Sequence, residues 1–301
     1  MVDTWEDRAV LPAHGVADVG RYNMCRGDCA IGSKIYVIGG LDQNLTTTNW
    51  NDIYDADTNT WSSGAVYPIS GIRAGAAGVI GSYLYVCGGI VTGSDAQCRR
   101  YDPGADSWAT IASLPATRVV AAAAAHGGYL YVFGGSGSAT TYRYDPGADS
   151  WATMTSMPAA RDDAGAATIG DYIYVAGGSS TATLYRYDVN GDSWSTLTSM
   201  PAARNSQAVA AIGGKLYVAG GDGSFPSVAS NYEYDPVGDS WATKTAPSVG
   251  RTVGAWGVIG GQYLHYIGGF RSGSDFRDEH QRYVAVDLTT NGWQVHTAMI
   301  D

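Results

Sequence analysis

Arginine recurs along this chain at positions that could act together: Arg21, Arg73, Arg118, Arg161, Arg204 and Arg251 each follow a proline. A guanidinium is a planar fork of N–H donors suited to carboxylates and phosphates, so several brought to one rim would form a cationic site. The same group can serve locally, bonding loop carbonyls or carboxylates to brace a connection, and a residue repeated in every unit more often serves the unit. The residues that follow the arginines differ: Tyr22, Ala74, Val119, Asp162, Asn205 and Thr252. The candidate binding set is therefore Arg73, Arg118, Arg161, Arg204, Arg251, Asp162, Asn205, Thr252 and Tyr22.

Other reactive side chains form weaker patterns. The histidines, His14, His126, His265, His280 and His296, are expected to lie far apart and not to converge. Asp275, Asp278, Glu279 and His280 read as a solvated charged loop before they read as a metal site. The four cysteines match no zinc spacing, and no cofactor fingerprint stands out. Cys87 and Cys98 fall on successive strands of one unit, where a cross-strand disulfide is open to them. Cys25 and Cys29 read as buried free thiols. No catalytic set is assigned.

The elements that would carry these residues are repeats. Gly-Gly closes an apolar run at 39–40, 88–89, 134–135, 177–178, 220–221 and 268–269, and each doublet is followed by a tryptophan: Trp61, Trp108, Trp151, Trp194, Trp241 and Trp293. YDPGADSWAT occurs verbatim at 101–110 and 144–153. Glycine permits close approaches and Asp-Pro-Gly makes a turn, so each unit reads as strands a, b, c and d joined by short loops. The units run over about 21–68, 73–115, 118–158, 161–201, 204–247 and 251–299. Residues 4–12 form an extra d-type segment. One repeat domain over residues 1–301 is expected.

Strand a is nearly all Ala and Gly, strand b heavier, strand c carries Tyr-x-Tyr-Asp, and strand d begins with tryptophan. Size that grows along the unit suits a wedge-shaped blade whose innermost strand lies near an axis. The expected fold is all-β: a six-bladed β-propeller with four antiparallel strands per blade. Trp256 in the sixth strand a is expected to plug space. Arg26 and Asp28 break the small-residue rule in unit 1 and could pair with each other or with a neighbouring blade. Either 4–12 or 293–299 could complete blade 6, with the local segment slightly preferred. The d-to-a and b-to-c loops should share one face, the usual place for binding.

Composition sets outer limits. The formal charge of −10, with only Lys34, Lys215 and Lys244 as lysines, argues against nucleic acid or anionic membrane as general partners. No apolar run is long enough to span a bilayer, and the N-terminal MVDTWEDRAV has no signal-peptide pattern. Abundant Thr, Ala, Gly and Asp with scarce lysine lean toward a bacterial, extracellular origin, and a monomer is expected.

The Gly-Gly pair, the Tyr-Asp beyond it, the tryptophan six to seven residues after that tyrosine and the Met/Leu-Pro-x-x-Arg link resemble kelch repeats. The resemblance covers nearly the whole chain and implies a kelch β-propeller. It implies several functions, because kelch propellers include interaction modules, sugar-acting enzymes and copper oxidases. In the interaction type, the residue after the repeat arginine contacts ligand. The copper type requires a tyrosine crosslinked to cysteine, a second tyrosine and two histidines, and no matching set is found. The expectation is a non-catalytic propeller that holds an acidic or polar protein segment or glycan on its loop-rich face. The alternative is a carbohydrate-active enzyme similar to kelch-fold sialic acid mutarotases, with arginines on the substrate carboxylate.

Overall fold

The computed structural model describes residues 3–12, 14, 24–222, 227–271 and 276–285. Among these residues all regular structure is strand, in six four-stranded antiparallel sheets. Blade 1 is β2 (Ala30–Ile31), β3 (Lys34–Ile38), β4 (Asn51–Asp55) and β5 (Thr60–Ser63). Blade 2 is β6 (Ala76–Ile80), β7 (Tyr83–Cys87), β8 (Cys98–Asp102) and β9 (Ser107–Ile111); blade 3 is β10 (Ala122–His126), β11 (Tyr129–Phe133), β12 (Thr141–Asp145) and β13 (Ser150–Met154). Blade 4 is β14 (Gly165–Ile169), β15 (Tyr172–Ala176), β16 (Leu184–Asp188) and β17 (Ser193–Leu197); blade 5 is β18 (Ala208–Ile212), β19 (Lys215–Ala219), β20 (Asn231–Asp235) and β21 (Ser240–Thr243). Blade 6 comprises β22 (Ala255–Ile259), β23 (Tyr263–Phe270) and β24 (Phe276–Ala285), and its fourth strand is β1 (Asp3–Arg8) from the other end of the chain.

The expected β-propeller is therefore present, and the core lies between blades. Strand side chains alternate, so each blade packs apolar residues against both neighbours. Leu130 and Val132 of β11 meet Tyr85 and Cys87 of blade 2, whereas Tyr131 and Phe133 meet Ile173 and Val175 of blade 4. Six such buried clusters fill the six junctions. Trp256, 2% exposed, fills the junction of blades 5 and 6 as expected.

Among the described residues, each tryptophan that opens an outer strand belongs to a polar latch that fastens one blade to the next. The Tyr144 hydroxyl donates to Asp149 Oδ1 (2.7 Å), and that oxygen also accepts the N–H of Ala112 at the outer edge of blade 2 (2.8 Å). Trp151 Nε1 donates to the Ala112 carbonyl (2.8 Å), so one residue of the neighbour is held through both backbone groups. The same arrangement holds Ala65 through Asp106 and Trp108, Thr155 through Asp192 and Trp194, and Thr198 through Asp239 and Trp241.

This latch decides how the ring closes. Trp5 Nε1 donates to the Thr245 carbonyl (2.8 Å), Tyr283 donates to Asp3 Oδ1 (2.7 Å), and β1 pairs with β24 from Asp3↔Ala285 to Arg8↔His280. The preference for the local segment is thus corrected: the N-terminal strand occupies the outer position, and Trp293 lies outside the described residues. Beyond β1, Ala9 is held by Asn59 and Trp61 of blade 1.

Cys87 and Cys98 are register partners with Cα atoms 4.1 Å apart and form a disulfide. Cys25 and Cys29 are free and buried. The last b-to-c connection is shorter than expected, because Asp278, Glu279 and His280 lie on β24; Asp275 is outside the described residues.

Candidate functional site

The d-to-a and b-to-c segments meet on one face. The backbone N–H groups of Arg118, Arg161 and Arg204 donate to the carbonyls of Asp95, Ser138 and Thr181 in the b-to-c loops of the preceding blades. The arginine carbonyls in turn bind the preceding blade: Gly89 donates to Arg118, Gly135 to Arg161, Gly178 to Arg204 and Gly221 to Arg251 (2.6–2.8 Å). The first glycine of each doublet lies under the same carbonyl. A Cβ on Gly134 would stand 2.3 Å from the Arg161 oxygen, which is why no side chain is tolerated there.

The repeat arginines turn their side chains into the blades. Arg118 Nη2 donates to the Tyr142 hydroxyl (3.1 Å), Arg161 to Tyr185 (2.9 Å) and Arg204 to Tyr232 (3.1 Å), with each guanidinium over the ring it bonds. Arg251 is fully buried and reaches the Glu279 carbonyl (2.7 Å) and Gln281 (2.9 Å). The expected cationic rim is not what these four make; they brace the connections between strands.

Arg73 belongs to a different position from the other arginines. Gly40 donates to Ile72, so Ile72 stands where Arg118 stands, and Arg73 stands where Val119, Asp162, Asn205 and Thr252 stand. Arg73 exchanges backbone bonds with Ile90 as Asn205 does with Asp222 and Thr252 with Phe270. The next residues, Ala74, Val120, Asp163, Ser206 and Val253, all have φ between 52° and 61°. Their N–H groups link blade to blade: Val120 donates to Ala74, Asp163 to Val120, Ser206 to Asp163 and Val253 to Ser206 (2.7–3.1 Å). A backbone chain thus runs around the channel mouth.

Side chains on this rim form a compact polar group. Arg26 of blade 1 reaches across the channel and its side chain pairs with Asp163 of blade 4. Asp163 also accepts the Ser206 hydroxyl (2.8 Å). Burial and the neighbouring charge of Asp163 raise the Asp222 carboxyl above its usual range, with Arg26 opposing. Asp222 Oδ1 is buried with no hydrogen-bond partner among the described residues. Asp162 and Asn205 are partly exposed and cap neighbouring loops, through Gly137 N–H (2.9 Å) and Ser180 N–H (2.7 Å). Thr252 is buried at 2% exposure, and Tyr22 lies outside the described residues. The mouth therefore combines Arg26 and Arg73 with three carboxylates, a set that recognises donors more readily than acids. Asp163 and Asp222 escaped the sequence reading because neither repeats.

The histidines partly contradict their expected separation. His265 Nδ1 and His280 Nε2 are 2.8 Å apart inside blade 6, against Tyr54. Burial first, then nearby Arg282 and Arg8, lowers His265 to about 3, and burial with His265 holds His280 well below its usual value. Both are neutral packing groups at ordinary pH. No cluster of three metal-ligating side chains exists among the described residues.

A family model described as the KLHDC2/KLHL20/DRC7 Kelch-repeats domain matches residues 121–299, and a Kelch motif model matches 24–65 and 73–115. The chain is 32% identical over 102 residues to Kelch-like protein 25 of Xenopus tropicalis, which covers 34% of this chain and 17% of that protein. It is 31% identical over 107 residues to Kelch-like protein terF of Aspergillus terreus, covering 31% of this chain and 22% of that one. The chain thus spans about a fifth of the length of these relatives. The solved structure titled "Structure of YjhT" matches 92% of this chain and 96% of its own with a TM-score of 0.75 at 16% identity, a likeness of fold. With its repeats, its ring of blades and a family match over more than half its length, the chain belongs to the kelch-repeat family.

Proposed function

We propose that this propeller is a non-catalytic interaction module that holds a polar protein segment at its loop-rich channel mouth. The observation that carries this reading is the convergence of Arg26, Arg73, Asp162, Asn205 and Asp222 from four blades onto one braced rim. The preferred segment carries Lys, Arg or amide donors, because the rim carboxylates outnumber its guanidiniums. This redirects the acidic partner expected from the arginine pattern. Peptides selected from a random display library on the full chain should be enriched in basic residues. Their affinity should fall at least tenfold in Asp222→Asn and weaken as salt rises. Selection of acidic peptides, or equal binding to the variant, would overturn the reading. The mutarotase alternative needs guanidiniums available to a sugar carboxylate, and those of Arg118, Arg161 and Arg204 are engaged by tyrosines. NMR detection of catalysed anomer exchange in an acidic sugar would restore it.

A further inference from the structure

The channel is a second feature, opening toward the a-to-b turns on the opposite face. It encloses about 350 Å³ and is lined by the inner strands, including Gly78, Ala124, Ala166, Val209 and Val258. Each inner strand pairs on one edge with strand b and turns its other edge inward, so small apolar side chains are interspersed with backbone N–H and C=O groups. Asp28 is the only ionisable side chain among its described lining residues. The Thr168 hydroxyl on the same wall is used by the Ala125 carbonyl (2.9 Å).

Blade 1 places this carboxylate by a departure from the repeat. Cys25 N–H bonds the Ile38 carbonyl, as the Ala76–Cys87 register predicts, and Tyr36 N–H bonds Cys29, as the Gly78–Tyr85 register predicts. Arg26, Gly27 and Asp28 thus occupy the place of one residue, Ala77, and bulge into the channel. Arg26 makes backbone bonds to Gly75 and Ala77 of blade 2 (2.8 and 2.6 Å), and Asp28 bridges Trp256 of blade 6. Gly27 is required at φ 138°, because its Cβ would lie 1.8 Å from the Ala77 oxygen. Asp28 Oδ1 accepts the N–H groups of Ala30 and Val258 (both 3.1 Å). Oδ2 has no hydrogen bond among the described residues.

We propose that this half of the channel binds a primary alkylammonium group, from a free aliphatic amine or from a lysine side chain of a partner, with Asp28 as the counter-charge. An aliphatic stem matches the small apolar walls, and the ammonium has three donors for Oδ2 and the inward carbonyls. Asp28 is open to solvent within the channel, but the surrounding walls crowd its carboxyl and raise it to about 6 against the Val258 and Ala30 N–H groups, so it is ionised at pH 7.5 and available to a cation.

The test is calorimetric titration of the full chain at pH 7.5 with n-butylammonium and, separately, with Nα-acetyl-lysine methylamide. Saturable binding at millimolar concentration or tighter is expected for the butyl probe, with n-butanol giving none. Asp28→Asn retains the acceptor for both amides, and its affinity should fall at least tenfold. Saturation by the lysine derivative as well assigns the site to a partner's side chain; saturation by butylammonium alone assigns it to free amines. In wild-type protein the amide resonances of Ala30 and Val258 should shift along the binding isotherm. Failure of both amines to saturate, affinity within twofold in Asp28→Asn, or shifts confined to the opposite face would overturn the proposal.

Discussion

At the scale of the residue, the latch carboxylates make stability depend on pH. The Ala65 and Ala112 amides, then the Tyr101 and Tyr144 hydroxyls, lower Asp106 and Asp149; the Tyr234 hydroxyl, then the Thr198 amide, lowers Asp239. Burial pushes Asp192 upward, but Tyr187 and Thr155 outweigh it and leave it lowered. A lowered carboxyl contributes stability that is fully present above its unfolded value, near 4, and is lost as pH falls through the folded value. Melting temperature should therefore hold near neutrality and drop below about pH 4. Blade 1 contains the neutral version, since Asn59 Oδ1 accepts both Tyr54 (2.8 Å) and Ala9 N–H (3.0 Å). Asp149→Asn should accordingly melt within a few degrees of wild type at pH 7 and lose less stability between pH 4 and 2.5. An unchanged acid slope would remove Asp149 from this account.

At the scale of the element, blades are packed by backbone approach as much as by side chains. Gly134 and Gly137 have nearly the same conformation, φ 65° and 68°, but a Cβ at Gly137 meets nothing within 4 Å. Gly137→Ala should therefore cost only the left-handed backbone penalty, about 1–2 kcal/mol. Gly134→Ala must also separate β11 from the Arg161 carbonyl of blade 4 and should cost on the order of 3 kcal/mol or more. Urea denaturation of the two variants measures the difference. Equal costs would mean that the doublet serves local conformation alone.

At the scale of the molecule, the ring is a closed circle of junctions, and β1 completes it. Removing residues 1–10 would strip β24 of its outer partner and break the Trp5, Asp3 and Ala9 latches together. Exposed sheet edges associate, and the junctions of blades 5, 6 and 1 would open. The truncated chain should lose its single cooperative unfolding transition and aggregate on heating, and a peptide of residues 1–12 added in trans should restore the transition. Wild-type melting of the truncated chain would show that another segment, such as that around Trp293, can take the place of β1.

The number of blades, the strands within them and the outward growth of side chains were legible in the sequence because every unit must solve the same packing problem with the same residue types. Gly-Gly and Trp repeat because close approach and the latch repeat. The identity of the repeat arginines was readable, but their direction was not: the tyrosine on strand c that captures each guanidinium lies 24 residues away in blades 3 and 4 and 28 in blade 5. Arg73 stands one place beyond the repeat-arginine position because loop length before strand a varies, and only the bond from Gly40 to Ile72 sets the register. The pairing of Arg26 with Asp163, of His265 with His280 and of β1 with β24 joins residues that share no local period. Curvature of the whole ring brings them together, so the tertiary structure alone decided what stands at the channel mouth and what closes the circle.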